Sequence, residues 1–153
     1  QGAAEAAGAA KLTAPDVVGV TVLTSLSDRD LAQLGYPRTA AETVMQLAAV
    51  AAAAGASGVV ASPKEAEHLR REAGRDFRIV TPGVRPSWYD TAARAADDQA
   101  RVETPSAAIE AGADYVVVGR PIRDAGDPGA AADKVVNEIV RSIRKRAEKT
   151  VGR

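Results

Sequence analysis

The sequence predicts an α/β fold built on a parallel sheet, and three observations point there. Short apolar, β-branched runs alternate along the chain with longer helical segments. Most connections between them are short, as right-handed βα units require. Several runs also stop abruptly at glycine and a polar residue, as in Tyr115-Val116-Val117-Val118-Gly119-Arg120-Pro121-Ile122. A buried parallel strand delivers side chains to the carboxyl-end rim of its sheet in this way.

Each element follows from its residues. Residues 1–10 are alanine-rich and read as the end of a helix. Residues 17–23 form a nearly continuous β-branched run, expected to be a strand buried on both faces. Ser27 and Asp28 open a short helix that Gly35 and Pro37 stop. Residues 39–54 make a longer helix with Val44, Leu47 and Ala48 on one face and Gly55 as its stop. A short strand at 58–61 leads into a helix with Ser62 as N-cap, Pro63 at its first position and Glu65 completing a capping box. That helix ends at Gly74. Residues 77–80 are the third strand, 104–111 a helix and 114–118 the fourth strand. Asp127 and Pro128 open the last helix, which carries Val135, Val136, Ile139, Val140 and Ile143 at helical spacing. The basic tail, 144–153, is expected to fray. The stretch 86–103 is too long for an ordinary connection, which marks it as a candidate lid.

Composition narrows the function classes. The 153 residues suffice for one domain, and 1–153 is read as a single domain. Lys and Arg number 20 against 20 Asp and Glu, so there is no electrostatic case for a nucleic-acid or membrane partner. The absence of cysteine excludes disulfides and thiolate metal sites and fits a reducing cytosol. The longest apolar stretch, 47–54, falls far short of the roughly 20 residues a membrane span needs. The chain shows no signal-peptide pattern, and it starts at Gln1 inside a helix-like segment, so preceding sequence is expected.

Two successive strand ends carry the chemistry. Gly119 lets the backbone approach a ligand, and Arg120 can grip an anion bidentately. Arg85, in Thr81-Pro82-Gly83-Val84-Arg85-Pro86, and Gln99 add a cation and an amide from the preceding loop. Together they read as a phosphate site. The alternative for Arg120 is a rim salt bridge, and for Thr24, at the end of the first strand, satisfaction of a turn amide. Trp88 and Tyr89 lie in the candidate lid and fit either a closed-loop contact or local or oligomer packing. His68 sits among Glu65, Glu67, Arg70 and Arg71 on a solvated helix face. Asp97 and Asp98 resemble paired carboxylates, with Asp98 read as a loop anchor before Gln99.

These motifs, with Val20-Thr21-Val22-Leu23-Thr24-Ser25 and Gly58-Val59-Val60-Ala61-Ser62, occur in the order found in bacterial orotidine 5'-phosphate decarboxylases. From about residue 17 to about residue 132 the chain resembles the carboxyl-terminal half of that family. The resemblance implies a (β/α)8 TIM barrel, to which this chain supplies about four βα units. A complete barrel needs roughly 250 residues. Periodicity alone does not separate such a half-barrel from a four-stranded doubly wound sheet; the resemblance favours the half-barrel.

The resemblance also assigns roles. It implies that Arg120, Gln99 and Arg85, with the backbone around Gly119, hold the phosphate of orotidine 5'-monophosphate (OMP) or of the product UMP. Thr24 matches a hydroxyl near the pyrimidine amide, and Pro82 matches a proline that shapes the loop beside the ligand, although a plain turn proline fits equally. Ser25 and Ser62 share the rim with weaker claims. The family uses no cofactor and no metal, and it works as a cytosolic homodimer. Its Asp-x-Lys-x-x-Asp motif is missing: Lys64, Lys134 and the tail lysines all lie on predicted helices. No catalytic residue is therefore assigned here, and the amino-terminal half of the enzyme is the expected partner. Two other readings stay open, a non-catalytic phosphate-binding half-barrel and a sugar-phosphate decarboxylase or aldolase of the same superfamily. The paired loop motifs at 81–86 and 97–99 argue against the last.

Overall fold

The computed structural model describes residues 2–89 and 103–151. Helix α1 spans Gly2–Ala9 and is followed by β1 (Val18–Val20), α2 (Asp28–Gln33), α3 (Ala40–Ala53), β2 (Gly58–Val60) and α4 (Pro63–Ala73). Then come β3 (Arg78–Thr81), α5 (Pro105–Glu110), β4 (Tyr115–Val116), α6 (Arg120–Arg123) and α7 (Pro128–Val151). All strand pairs are parallel, in the order β1-β2-β3-β4, with Val18 beside Gly58, Gly58 beside Arg78 and Val80 beside Tyr115.

That order separates two architectures that periodicity could not. A doubly wound sheet reverses its strand order at a switch point and carries helices on both faces. Here the order never reverses, so right-handed crossovers place α3, α4 and α5 on the same face. Burial follows this one-sided layering. Val59, Ala61 and Ile79 are buried in the core with Val44, Ala48, Ala66 and Leu69 from the helices. Val20, Tyr115 and Val117 are more than half exposed. Small residues allow close approach within the sheet: a Cβ at Gly58 would lie 2.2 Å from the carbonyl oxygen of Arg78.

Several expectations need correction. The strand at 17–23 is not covered on both faces among the described residues, because Val20 and Leu23 are exposed. The regular ladders are also shorter than expected, although Thr21 N–H donates to Val60 O (3.1 Å) and Val117 N–H to Thr81 O (2.9 Å) just beyond them. Ser62 does cap α4, but its hydroxyl accepts from Lys64 N–H (3.3 Å), and Glu65 is buried where the sequence suggested a capping box. True capping boxes open α2 and α3, from Ser27 with Asp30 and from Thr39 with Glu42. The tail expected to fray is helical to Val151 as the continuation of α7. The apolar stripe on α7 is only partly covered, with Val135 buried and Val136, Val140 and Ile143 exposed. No described helix is long and apolar enough to cross a membrane.

Candidate functional site

The carboxyl ends of three strands converge on a cavity of about 240 Å³. Thr24, a few residues after β1, is buried in its wall. Pro82, directly after β3, and Arg85, three residues further, line the middle. Gly119 and Arg120, just after β4, complete the far side. Five of the six residues singled out from sequence therefore line one cavity. The sixth, Gln99, lies outside the described residues, as do Asp97, Asp98 and most of the candidate lid.

Each side chain is held by its local structure. Arg85 is buried, its Nη1 donates to Val84 O (2.9 Å), and its backbone N–H donates to Glu103 O (2.9 Å). Arg85 thus lines the cavity as a buried residue of its wall. Arg120 begins α6, a one-turn helix absent from the elements expected above, although a residue before proline is disfavoured in helical geometry. Ile122 and Arg123 N–H groups both donate to Gly119 O (3.0 and 2.9 Å), closing the turn. A Cβ at Gly119 would meet nothing within 4 Å, so its open side is space in which a ligand can approach. Below the rim, the buried Thr81 hydroxyl donates to Tyr115 O (3.1 Å) and locks β3 against β4.

The turn of α6 also brings in a residue that the sequence reading passed over. Arg123 lines the cavity and pairs with Asp124, Nε to Oδ1 at 2.6 Å and Nη2 to Oδ2 at 2.9 Å. Hydrogen bonding from Arg123 holds the Asp124 carboxyl below its ordinary pKa, and the Arg120 charge adds to this. The spacing of Arg120 and Arg123, three residues apart, was the available signal.

Other sequence candidates fall elsewhere. Ser62 is fully buried as the N-cap of α4 and does not line the cavity. The Lys134 ammonium lies 5.4 Å from the centre of the Trp88 ring, a cation–π contact that supports local packing for Trp88. His68 faces Glu72 at 3.9 Å on the exposed side of α4, as expected of a solvated face. Lys64 lies on α4 and Lys134 on α7.

Comparison with known proteins identifies the family and the fold. Residues 1–135 match the model of the orotidine 5'-phosphate decarboxylase / HUMPS family. An orotidine 5'-phosphate decarboxylase of Syntrophus aciditrophicus is 51% identical over 140 residues, covering 92% of this chain and 54% of that protein. One from Heliobacterium modesticaldum is 46% identical, covering 95% of this chain and 58% of that protein. The crystal structure of orotidine 5'-phosphate decarboxylase from Lactobacillus acidophilus superposes with a TM-score of 0.68 at 38% identity, over 85% of this chain and 51% of that one. The chain thus spans about half the length of these relatives, and its four βα units form about half of a (β/α)8 barrel. With its model matched over most of the chain, the family is settled: the chain belongs to the orotidine 5'-phosphate decarboxylase / HUMPS family.

Proposed function

We propose that the protein carrying this chain converts OMP to UMP and CO2, and that this chain holds the nucleotide phosphate. The observation that carries the reading is the gathering of Thr24, Pro82, Arg85, Gly119 and Arg120, from three separate strand ends, around one cavity. Arginines lining that cavity, Arg85 and Arg120 among them, suit a phosphate dianion, which Arg binds through charge-assisted, bidentate hydrogen bonds. A site formed by the loops after the last two strands is also where barrels of this architecture commonly hold phosphate.

In the proposed reaction the bond from C6 of the pyrimidine to its carboxylate breaks. CO2 leaves, and the electron pair stays on C6 until a lysine ammonium protonates it. That lysine belongs to the remainder of the barrel, since the lysine motif is missing from this sequence. No cofactor takes part. Phosphate binding at Arg120, Arg85 and Gln99 is remote from C6, and its energy supports orientation and desolvation at the reacting carbon. Thr24 sits near the base and Pro82 shapes the loop beside it. The partners in this reading are the amino-terminal half of the barrel and a second copy of the enzyme, in the cytosol.

Turnover of OMP by the full-length protein, compared with turnover of orotidine, tests the reading. A large preference for the phosphorylated substrate is expected, and it should shrink greatly in Arg120→Ala. Without the remainder of the barrel, the 153-residue chain should be inactive. Activity from the chain alone would remove the chemistry from the missing lysine, and equal losses with both substrates would make Arg120 structural.

A further inference from the structure

The cavity contains one cation that the phosphate reading leaves unused. Arg123 stands one helical turn beyond Arg120, so the two side chains leave α6 on the same side, and both line the cavity with Arg85. Arg123 is held by Asp124, the residue that ends α6, in a two-point pair. Both partners are largely exposed, with side chains 71% and 49% accessible. An exposed ion pair of this kind contributes little and is readily exchanged. A phosphate dianion brings more charge than one carboxylate and offers the same planar fork its preferred partner.

We infer that Arg123 is a further phosphate-binding residue of this site, parked on Asp124 when the cavity is empty and transferred to the dianion when a phosphate monoester enters. The inference rests on the reading that the cavity takes a phosphate. Asp124 then does two things. It keeps the guanidinium extended along the rim instead of leaving it to sample many rotamers. It also sets a threshold: a ligand must attract Arg123 more strongly than Asp124 does. A dianionic monoester meets that threshold, and a monoanionic diester or an uncharged nucleoside does not. The pair thereby selects for a terminal phosphate, which Arg120 and the buried Arg85 alone would do less sharply.

Calorimetric titration of the full-length protein with UMP, uridine and a uridine phosphodiester tests this, at low and at moderate ionic strength. Arg123→Ala should weaken UMP binding about tenfold, flatten its salt dependence and leave uridine unchanged. Asp124→Asn should tighten UMP and the diester together and narrow the gap between them. Arg120→Ala serves as the reference and should lose more UMP affinity than Arg123→Ala. If Arg120→Ala loses affinity while Arg123→Ala does not, the role of Arg123 is overturned and the phosphate reading stands. If Asp124→Asn weakens UMP as much as Arg123→Ala, the pair is a structural brace, and the transfer is wrong. If the unsubstituted protein binds UMP no better than uridine, the phosphate reading itself fails and this inference fails with it. Arg123 is exposed, so its loss should leave the fold intact, and circular dichroism of each variant checks that.

Discussion

Arginines hold the two ends of this sheet in opposite ways. At the amino-terminal ends of β3 and β4, Arg70 reaches down from α4 and donates to four acceptors. Its Nε and Nη2 meet Gly112 O (3.1 and 2.9 Å), its Nη1 meets Gly74 O and Phe77 O (2.6 and 2.9 Å), and Nη2 also meets Asp114 (2.5 Å). The same Asp114 oxygen accepts from Ile79 N–H at 2.8 Å. Every direction of that guanidinium is taken up by the fold. At the carboxyl ends, Arg85, Arg120 and Arg123 ring a cavity instead. One residue type therefore serves as a staple where carbonyls converge and lines open space where strand ends diverge. In barrels the amino-terminal face carries stability and the carboxyl face carries the site.

The contrast can be broken by substitution. Arg120→Ala in the full-length protein should cost on the order of 4 kcal/mol of transition-state stabilisation with OMP and leave the unfolding midpoint nearly unchanged. Arg70→Ala should do the reverse. It removes the donor of three carbonyls and one of the donors of Asp114, which keeps Ile79 N–H, for a loss of about 3 kcal/mol of stability, while the folded fraction binds UMP normally. Urea unfolding and UMP titration of both variants give the comparison. A staple that weakens binding without lowering stability would erase the distinction between the two ends.

Much of this was legible in the sequence because it was local. Glycine and proline punctuation, N-cap residues and β-branched runs placed the strands and most of the helices, and they put Thr24, Pro82, Arg85, Gly119 and Arg120 at strand ends. What escaped depended on three-dimensional neighbours. The bareness of one face of β1 follows from strand order, which a run of valines does not encode. Glu65 has the spacing of a capping box, yet its side chain is buried. The α6 turn contradicts the local preference of a residue before proline, and with it Arg123 was passed over. The role of Arg70 was equally hidden, since its acceptors are backbone carbonyls brought together only by the fold.

Smaller effects sharpen the stable end of the comparison. Ser27→Ala removes the hydroxyl that accepts Asp30 N–H at the start of α2 and should cost about 1 kcal/mol. Thermal unfolding will register it, and no change would mean that Asp28, which accepts Ala40 N–H at 2.6 Å, alone fixes the α2–α3 corner. Acid should act through the same caps. Side-chain and backbone donors of Ser27 hold Asp30 below its ordinary pKa, and those of Thr39 do so for Glu42. A carboxyl depressed in the folded state adds stability above its unfolded value and loses it as pH falls through the folded one, here below about pH 4. Asp30→Asn with Glu42→Gln should therefore be less stable than the parent at pH 6 and lose less on going to pH 3. Parallel pH profiles for the two proteins would show that these caps add no acid sensitivity.

The most direct test is a crystal structure of the full-length protein with UMP. The phosphate should lie in the cavity between Thr24 and Arg120, within hydrogen-bonding distance of the Arg120 guanidinium, while Arg70 keeps its carbonyl partners. A phosphate bound elsewhere, with Arg120 turned away from it, would contradict the assignment of this cavity.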